Sequence, residues 1–366
     1  MNRLFFMSHS PIKQAHFSKN SSDFIVDELP LYEFSGSGEH LVLHVRKKDL
    51  TTWQMLNDLS DFTGAKLRDF GYAGLKDKDG MTVQYISIHK NYEEKLKSFS
   101  HEKVKILNTT YHNNKIKIGH LKGNRFFIRL KKVLPTDALK ITNACEKIKL
   151  EGYPNYFGYQ RFGKGGNNYE DGKAVLLGKK RENNKKIRDF LISAYQSELF
   201  NRWLSKRIEI SKLFESFDVN EMGKILPWDK GILKEIKKQP QFFKMINGDV
   251  LHHYPHGKAF ICEDLSAENE RFLKKDITIT GFLVGGRAMQ SEGIAKNIED
   301  EFFAEALPFM DKLDGARRFA WNFVEDFEYR YKEEDAHFEL NFTLQKGSYA
   351  TVVLEEILGR FLDESC

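Results

Sequence analysis

Short runs of β-type residues fill the first third of the chain, and helical periodicity takes over in its middle. The segment 40–46, His-Leu-Val-Leu-His-Val-Arg, reads as a strand, with apolar side chains at alternate positions that would share one face of a sheet. From Thr51 the spacing changes to three and four, which places Trp53, Leu56, Leu59 and Phe62 along one stripe of a helix over 51–62, capped by threonine. Strand character returns over 82–88, 104–110, 115–118 and 124–132, with His-Asn-Asn and Lys-Gly-Asn as turn signals between them. Strands so close in sequence pair largely antiparallel, because parallel neighbours need a long crossover. A helix is expected over 136–150, where Ala138, Ile141, Ala144, Cys145 and Ile148 repeat at helical spacing. Gly152 and Pro154 end it, so Asn155 opens a loop. A longer helix is expected over 189–210, with Phe190, Ala194, Ser197 and Asn201 beside a Leu191, Tyr195, Leu199 stripe, and 338–344 reads as a late strand.

These elements describe a mixed α+β chain. At 366 residues it exceeds the roughly 250–300 at which single cores stop growing, so two lobes are expected. The polar, basic run over 178–188 suits either a boundary between lobes or a loop facing a polyanion. Stretches of about 18 apolar residues, which a spanning helix needs, do not occur, and Leu4-Phe-Phe-Met7 is too short for an export signal. The cysteines Cys145, Cys262 and Cys366 are odd in number and far apart, which points to a reducing compartment; a soluble, cytoplasmic protein is expected.

Charge sharpens this picture more than composition does. The net charge is +5, yet residues 1–188 carry 34 basic and 20 acidic side chains (+14) while 189–366 carry 23 and 32 (−9). Neutralised phosphates supply most sequence-independent affinity for nucleic acid, so the N-terminal half suits a polyanionic partner.

The candidate chemistry lies in 71–84, Gly-Tyr-Ala-Gly-Leu-Lys-Asp-Lys-Asp-Gly-Met-Thr-Val-Gln, where Asp77 stands between Lys76 and Lys78 in a glycine-rich turn leading into a strand. Flanking ammonium groups favour the ionised carboxylate, the form that can act as a nucleophile. Three further segments accompany it. They are 18–28, Ser-Lys-Asn-Ser-Ser-Asp-Phe-Ile-Val-Asp-Glu; 154–166, Pro-Asn-Tyr-Phe-Gly-Tyr-Gln-Arg-Phe-Gly-Lys-Gly-Gly; and 342–351, Phe-Thr-Leu-Gln-Lys-Gly-Ser-Tyr-Ala-Thr.

In this order the four segments resemble the TruD-type tRNA pseudouridine synthases, and the resemblance runs from about Ser18 to Ile357. It implies a catalytic domain with a largely antiparallel central sheet flanked by helices, formed by 1–180 and 316–366, and an inserted α/β domain over 181–315. It further implies isomerisation of uridine, most specifically uridine-13 of tRNA, with Asp77 as nucleophile and neither cofactor nor metal. The protein would act on tRNA as a monomer, away from membranes. The target base must be flipped out of its stack, and Phe157 is the candidate for stacking on it. Asn155 would orient Asp77 through its amide, Lys76 or Lys19 would pair with Asp77, and Phe24 and Phe342 would pack near it. Lys78, Gln160, Arg161 and Lys164 are the candidate RNA contacts. Gly158, Gly163, Gly165 and Gly166 match neither a dinucleotide fingerprint nor a P-loop.

The chain departs from the family's pattern at several places. Ser18 stands where a lysine is common, with Lys19 one residue closer to Phe24; Asp79-Gly80 follows the nucleophile turn; and Gln345 and Glu355 replace a proline and an arginine. The three histidines of His252-His-Tyr-Pro-His256 lack cysteine or carboxylate at ligand spacing and read as a surface loop, and Gly285-Gly-Arg-Ala-Met289 receives no catalytic role. A non-catalytic RNA-binding or RNA-chaperone protein would share the basic half and the aromatic loop, and would be indifferent to Asp77→Asn.

Overall fold

A computed structural model describes residues 3–163 and 165–362; Lys164 and Cys366 lie outside the described residues. The described part is α+β, in two compact units. One gathers residues 12–145 and 324–350, and the other 3–11, 146–323 and 351–362 among the described residues.

The first unit is built on one sheet. Its strands are β1 (Phe24–Pro30), β2 (His40–Lys48), β3 (Gly71–Tyr72), β4 (Met81–His89), β5 (Val104–His112), β6 (Leu121–Leu130) and the later strands Glu325–Lys332 and His337–Gln345. Across the sheet the order runs from Glu325–Lys332 through His337–Gln345, β6, β1, β4 and β2 to β5, with β3 paired to β4. Every pairing is antiparallel except β1 with β4. Leu41, Leu43 and Val45 of β2 and Ile86 and Ile88 of β4 form a core with Met55, Leu56 and Leu59 of the helix α1 (Thr52–Thr63). On the other side of the alternation, Val42 packs with Ala73 and Ile116.

Two expectations need correction here. Thr51 does cap α1, in a reciprocal box with Gln54, but the buried positions are Thr52, Met55, Leu56, Leu59 and Thr63. Trp53 and Phe62 are 47% and 43% exposed, because the sheet meets the face carrying Met55 rather than the neighbouring one. The 115–118 segment is not a strand. The Ile116 N–H donates to the Ser87 hydroxyl at 2.9 Å and Gly119 N–H to the Ala73 carbonyl at 2.8 Å, so the backbone is satisfied without a ladder.

In the second unit the helix Lys185–Ser216 is the longest element, 32 residues beginning at an Asn184 cap. The basic run 178–188 is the short connection from the helix Asn168–Leu176 into it, and its last residues are already helical. A sheet of Asp314–Phe319, Ile277–Gly285, Val250–His253 and Ala259–Ile261, in that order, packs alongside. His252 and His253 close a strand of this sheet, which corrects the loop expected there; His256 lies exposed in the following turn. Tyr153–Pro154 pairs antiparallel with Trp321–Asn322, fixing the entry into the loop that Asn155 opens. Among the described residues no helix is long and apolar enough to cross a membrane, and no group of three or more His, Cys, Asp or Glu side chains could hold a metal ion.

Candidate functional site

Asp77 sits in the turn between β3 and β4, and its side chain is exposed together with Lys78 and Asp79. The turn is tied down by the segment that links β2 to α1. Lys76 N–H donates to the Thr52 hydroxyl at 2.9 Å, Asp49 N–H to the Gly80 carbonyl at 3.2 Å, and the Lys47 ammonium to the Asp77 carbonyl at 2.7 Å. Gly80 has a φ of +90°, and a Cβ there would fall 2.7 Å from the Phe24 carbonyl oxygen, so a side chain would push the turn off β1. Sequence places Asp79-Gly80 as a departure from the family; the close approach gives that glycine a local reason.

Lys76 does not carry its charge to Asp77. Its ammonium makes a 3.0 Å ion pair with the buried Glu28 carboxylate of β1 and a 2.6 Å hydrogen bond to the Asn124 side chain of β6. The cation behind Asp77 is instead Lys47, fully buried at the end of β2. Burial pulls its ammonium down to about 8, and the nearby Asp77 charge works against that fall. No motif singles out Lys47. The only signal is its place, after Leu41, Leu43 and Val45, where the alternation calls for another inward side chain.

Lys19 is half-buried in the segment before β1. Phe24 begins β1 and belongs to a row of rings across the sheet, 5.7 Å from Phe17 and 6.2 Å from Phe126, which lies 5.6 Å from Phe342. Phe342 is wholly enclosed, with Phe327 on its other side, so it supports the strand without meeting solvent.

The middle motif is organised within the second unit. Asn155 is 3% exposed; its N–H donates to the Ala320 carbonyl at 2.8 Å, its amide nitrogen to the Phe319 carbonyl at 2.9 Å, and its amide oxygen accepts from Arg318 at 3.1 Å. Phe157 is held at both backbone groups by Asn201 of the long helix, whose amide oxygen accepts the Phe157 N–H at 2.8 Å while its nitrogen donates to the carbonyl at 3.0 Å. The Arg318 guanidinium lies 3.9 Å from the centre of the Phe157 ring and Phe200 meets it edge-on. Arg318, absent from the sequence reading, thus serves both motif residues. Arg161 donates to Ser193 and Ser197 and lies over Phe190, and Gln160 accepts from the Thr351 hydroxyl at 3.4 Å, joining the middle motif to the last residue of the Gly-Ser-Tyr-Ala-Thr segment.

Phe157→Ala is expected to cost about 3–5 kcal/mol of stability, since it removes a ring enclosed by Arg318 and Phe200. Denaturant unfolding would check this, and an unchanged midpoint would contradict it.

Comparison with known proteins finds relatives over nearly the whole chain. A family model described as tRNA pseudouridine synthase D (TruD) matches residues 1–184 and 227–357. The chain is 58% identical over 362 residues to the tRNA pseudouridine synthase D of Campylobacter jejuni subsp. jejuni serotype O:6, which covers 99% of this chain and 97% of that protein. It is 52% identical over 360 residues to the protein of the same name from Nitratiruptor sp., covering 98% and 99%, and 45% over 376 residues to that of Helicobacter hepaticus, covering 98% and 96%. Among solved structures, that of a Methanosarcina mazei protein carrying the TruD name superposes with a TM-score of 0.73 over 98% of this chain and 96% of that one. At 20% sequence identity this likeness establishes the fold.

Proposed function

We propose that this chain, which belongs to the tRNA pseudouridine synthase D (TruD) family, isomerises uridine to pseudouridine in tRNA with Asp77 as its nucleophile. The observation that carries the reading is the exposed Asp77 side chain on a turn anchored at Lys76, Asp77 and Gly80, which presents a carboxylate to solvent without leaving it free to wander. A nucleophile must meet the reacting atom within a narrow geometry, and a backbone fixed at three points supplies that.

In the reaction the N1–C1′ bond of the uridine breaks and a C5–C1′ bond forms; N1 gains a proton and C5 releases one, so no oxidant or cofactor is required. The Asp77 carboxylate attacks either C6 of the base or C1′ of the ribose, and both routes use the same anion. Either needs the base extruded from its stack, at a cost of a few kcal/mol. Phe157 and Asn155 are read as active-site support, as are Lys76, Lys19, Phe24 and Phe342. Lys78, Gln160, Arg161 and Lys164 are read as RNA contacts, consistent with the +14 balance of residues 1–188. The inserted domain is read as 181–315, within the unit that includes 146–323. The reading carries with it a monomeric, cytoplasmic enzyme without metal.

The specific target proposed is uridine-13. Incubating the protein with unmodified tRNA transcripts and mapping pseudouridine chemically should give one new stop, at position 13. Modification at another position would overturn that assignment, and none at any position would favour a non-catalytic RNA-binding protein.

A further inference from the structure

We propose that Lys47 is a positioning residue for catalysis: its ammonium clamps the Asp77 carbonyl to the end of β2 and so sets where the Asp77 carboxylate meets the substrate. This rests on Asp77 being the nucleophile.

Lys47 stands where an apolar side chain is expected. It follows Leu41, Leu43 and Val45 on the buried side of β2, a strand paired on both edges, and Lys47 itself lies opposite Thr82 of β4 and Val104 of β5. A fully buried ammonium is costly unless hydrogen-bonded. Here it donates to two carbonyls from separate loops, Leu50 at 2.5 Å before α1 and Asp77 at 2.7 Å in the nucleophile turn. Stability alone gives no reason for the charge, since an apolar side chain of similar volume often serves a buried site as well or better. The contact falls on the one residue whose position the chemistry depends on. Thr52 and Asp49 hold the turn on either side of it, and Lys47 holds it at Asp77.

The clamp depends on protonation, because an uncharged amine bonds carbonyls more weakly than an ammonium does. Burial lowers the Lys47 ammonium to about 8; Asp77, Asp49 and Asp79 act against this fall and Lys76 adds to it. These are the charged groups that face it from the nucleophile turn and the connection into α1. With rising pH the free enzyme therefore loses the clamp through about 8.

The test measures single-turnover rate and tRNA affinity for the unmodified protein, Lys47→Met, Lys47→Arg and Asp77→Asn, with kcat/KM profiles from pH 6 to about 10. Lys47→Met should fold, bind tRNA within about threefold of the unmodified protein and turn over roughly 100-fold more slowly, the scale expected when a reacting group is misplaced by about an ångström. The unmodified protein should show an alkaline decline in kcat/KM near 8 that is missing in Lys47→Arg, whose charge persists. Lys47→Met turning over at the ordinary rate while Asp77→Asn is inactive would overturn the inference and leave the nucleophile reading intact. Activity in Asp77→Asn would remove both. Should Lys47→Met not fold, the profile decides, and an unchanged alkaline decline in Lys47→Arg would overturn the proposal.

Discussion

Asp77→Asn is expected to abolish turnover while leaving tRNA affinity within a few-fold and thermal stability essentially unchanged. The amide keeps the size of the carboxylate but is a far poorer nucleophile, so the covalent route closes. Surface substitutions away from special contacts usually change stability by no more than about 0.5 kcal/mol, and the Asp77 side chain is exposed. The contact that fixes the turn is made by its carbonyl, which the substitution retains. Loss of rate with binding and folding preserved separates a nucleophile from a structural residue. Equal loss of all three would place Asp77 in the scaffold instead.

Arg207→Ala should cost about 3–5 kcal/mol of stability, because it strands a buried carboxylate. Arg207 projects from the long helix Lys185–Ser216 and is 1% exposed; its guanidinium donates to both Asp249 oxygens, at 2.5 and 2.8 Å, and to the Lys244 carbonyl at 2.9 Å. Asp249, 2% exposed, also accepts the Ile246 N–H at 2.8 Å, so the pair stitches the helix to the strand beginning at Val250. The same helix presents Asn201 to Phe157, so the middle motif should loosen as well. A urea-unfolding midpoint that moves by less than about 1 kcal/mol equivalent would contradict this account. Replacing both partners with apolar residues should cost much less, since the penalty arises from the charge left behind.

Local periodicity was legible wherever one face of an element meets one partner. The 40–46 and 82–88 strands emerge as β2 and β4, and the helix expected over 136–150 spans Pro135–Glu151. The stripe on α1 was misjudged because Trp53 and Met55 both offer apolar surface, and only the sheet decides which is buried. The 115–118 segment has strand-like composition, but a side-chain acceptor on Ser87 satisfies its backbone, which periodicity does not register. At the candidate site the motifs pointed to Asp77, Asn155 and Phe157. Lys47 and Arg318 escaped notice because each acts across the fold on a residue far away in sequence. A lysine at the end of a strand and an arginine in another carry no local mark of that role. Lys76, adjacent in sequence to Asp77, reads as its partner, but its ammonium pairs with Glu28 and Asn124 instead.

The most direct test of the central claim is tritium release from tRNA labelled at C5 of uridine, since C5 loses its hydrogen only when the new carbon–carbon bond forms. The account predicts release by the unmodified protein, in proportion to pseudouridine formed, and none by Asp77→Asn. Release by both would contradict the assignment of Asp77. Release by neither, on tRNA lacking the modification, would contradict the activity itself.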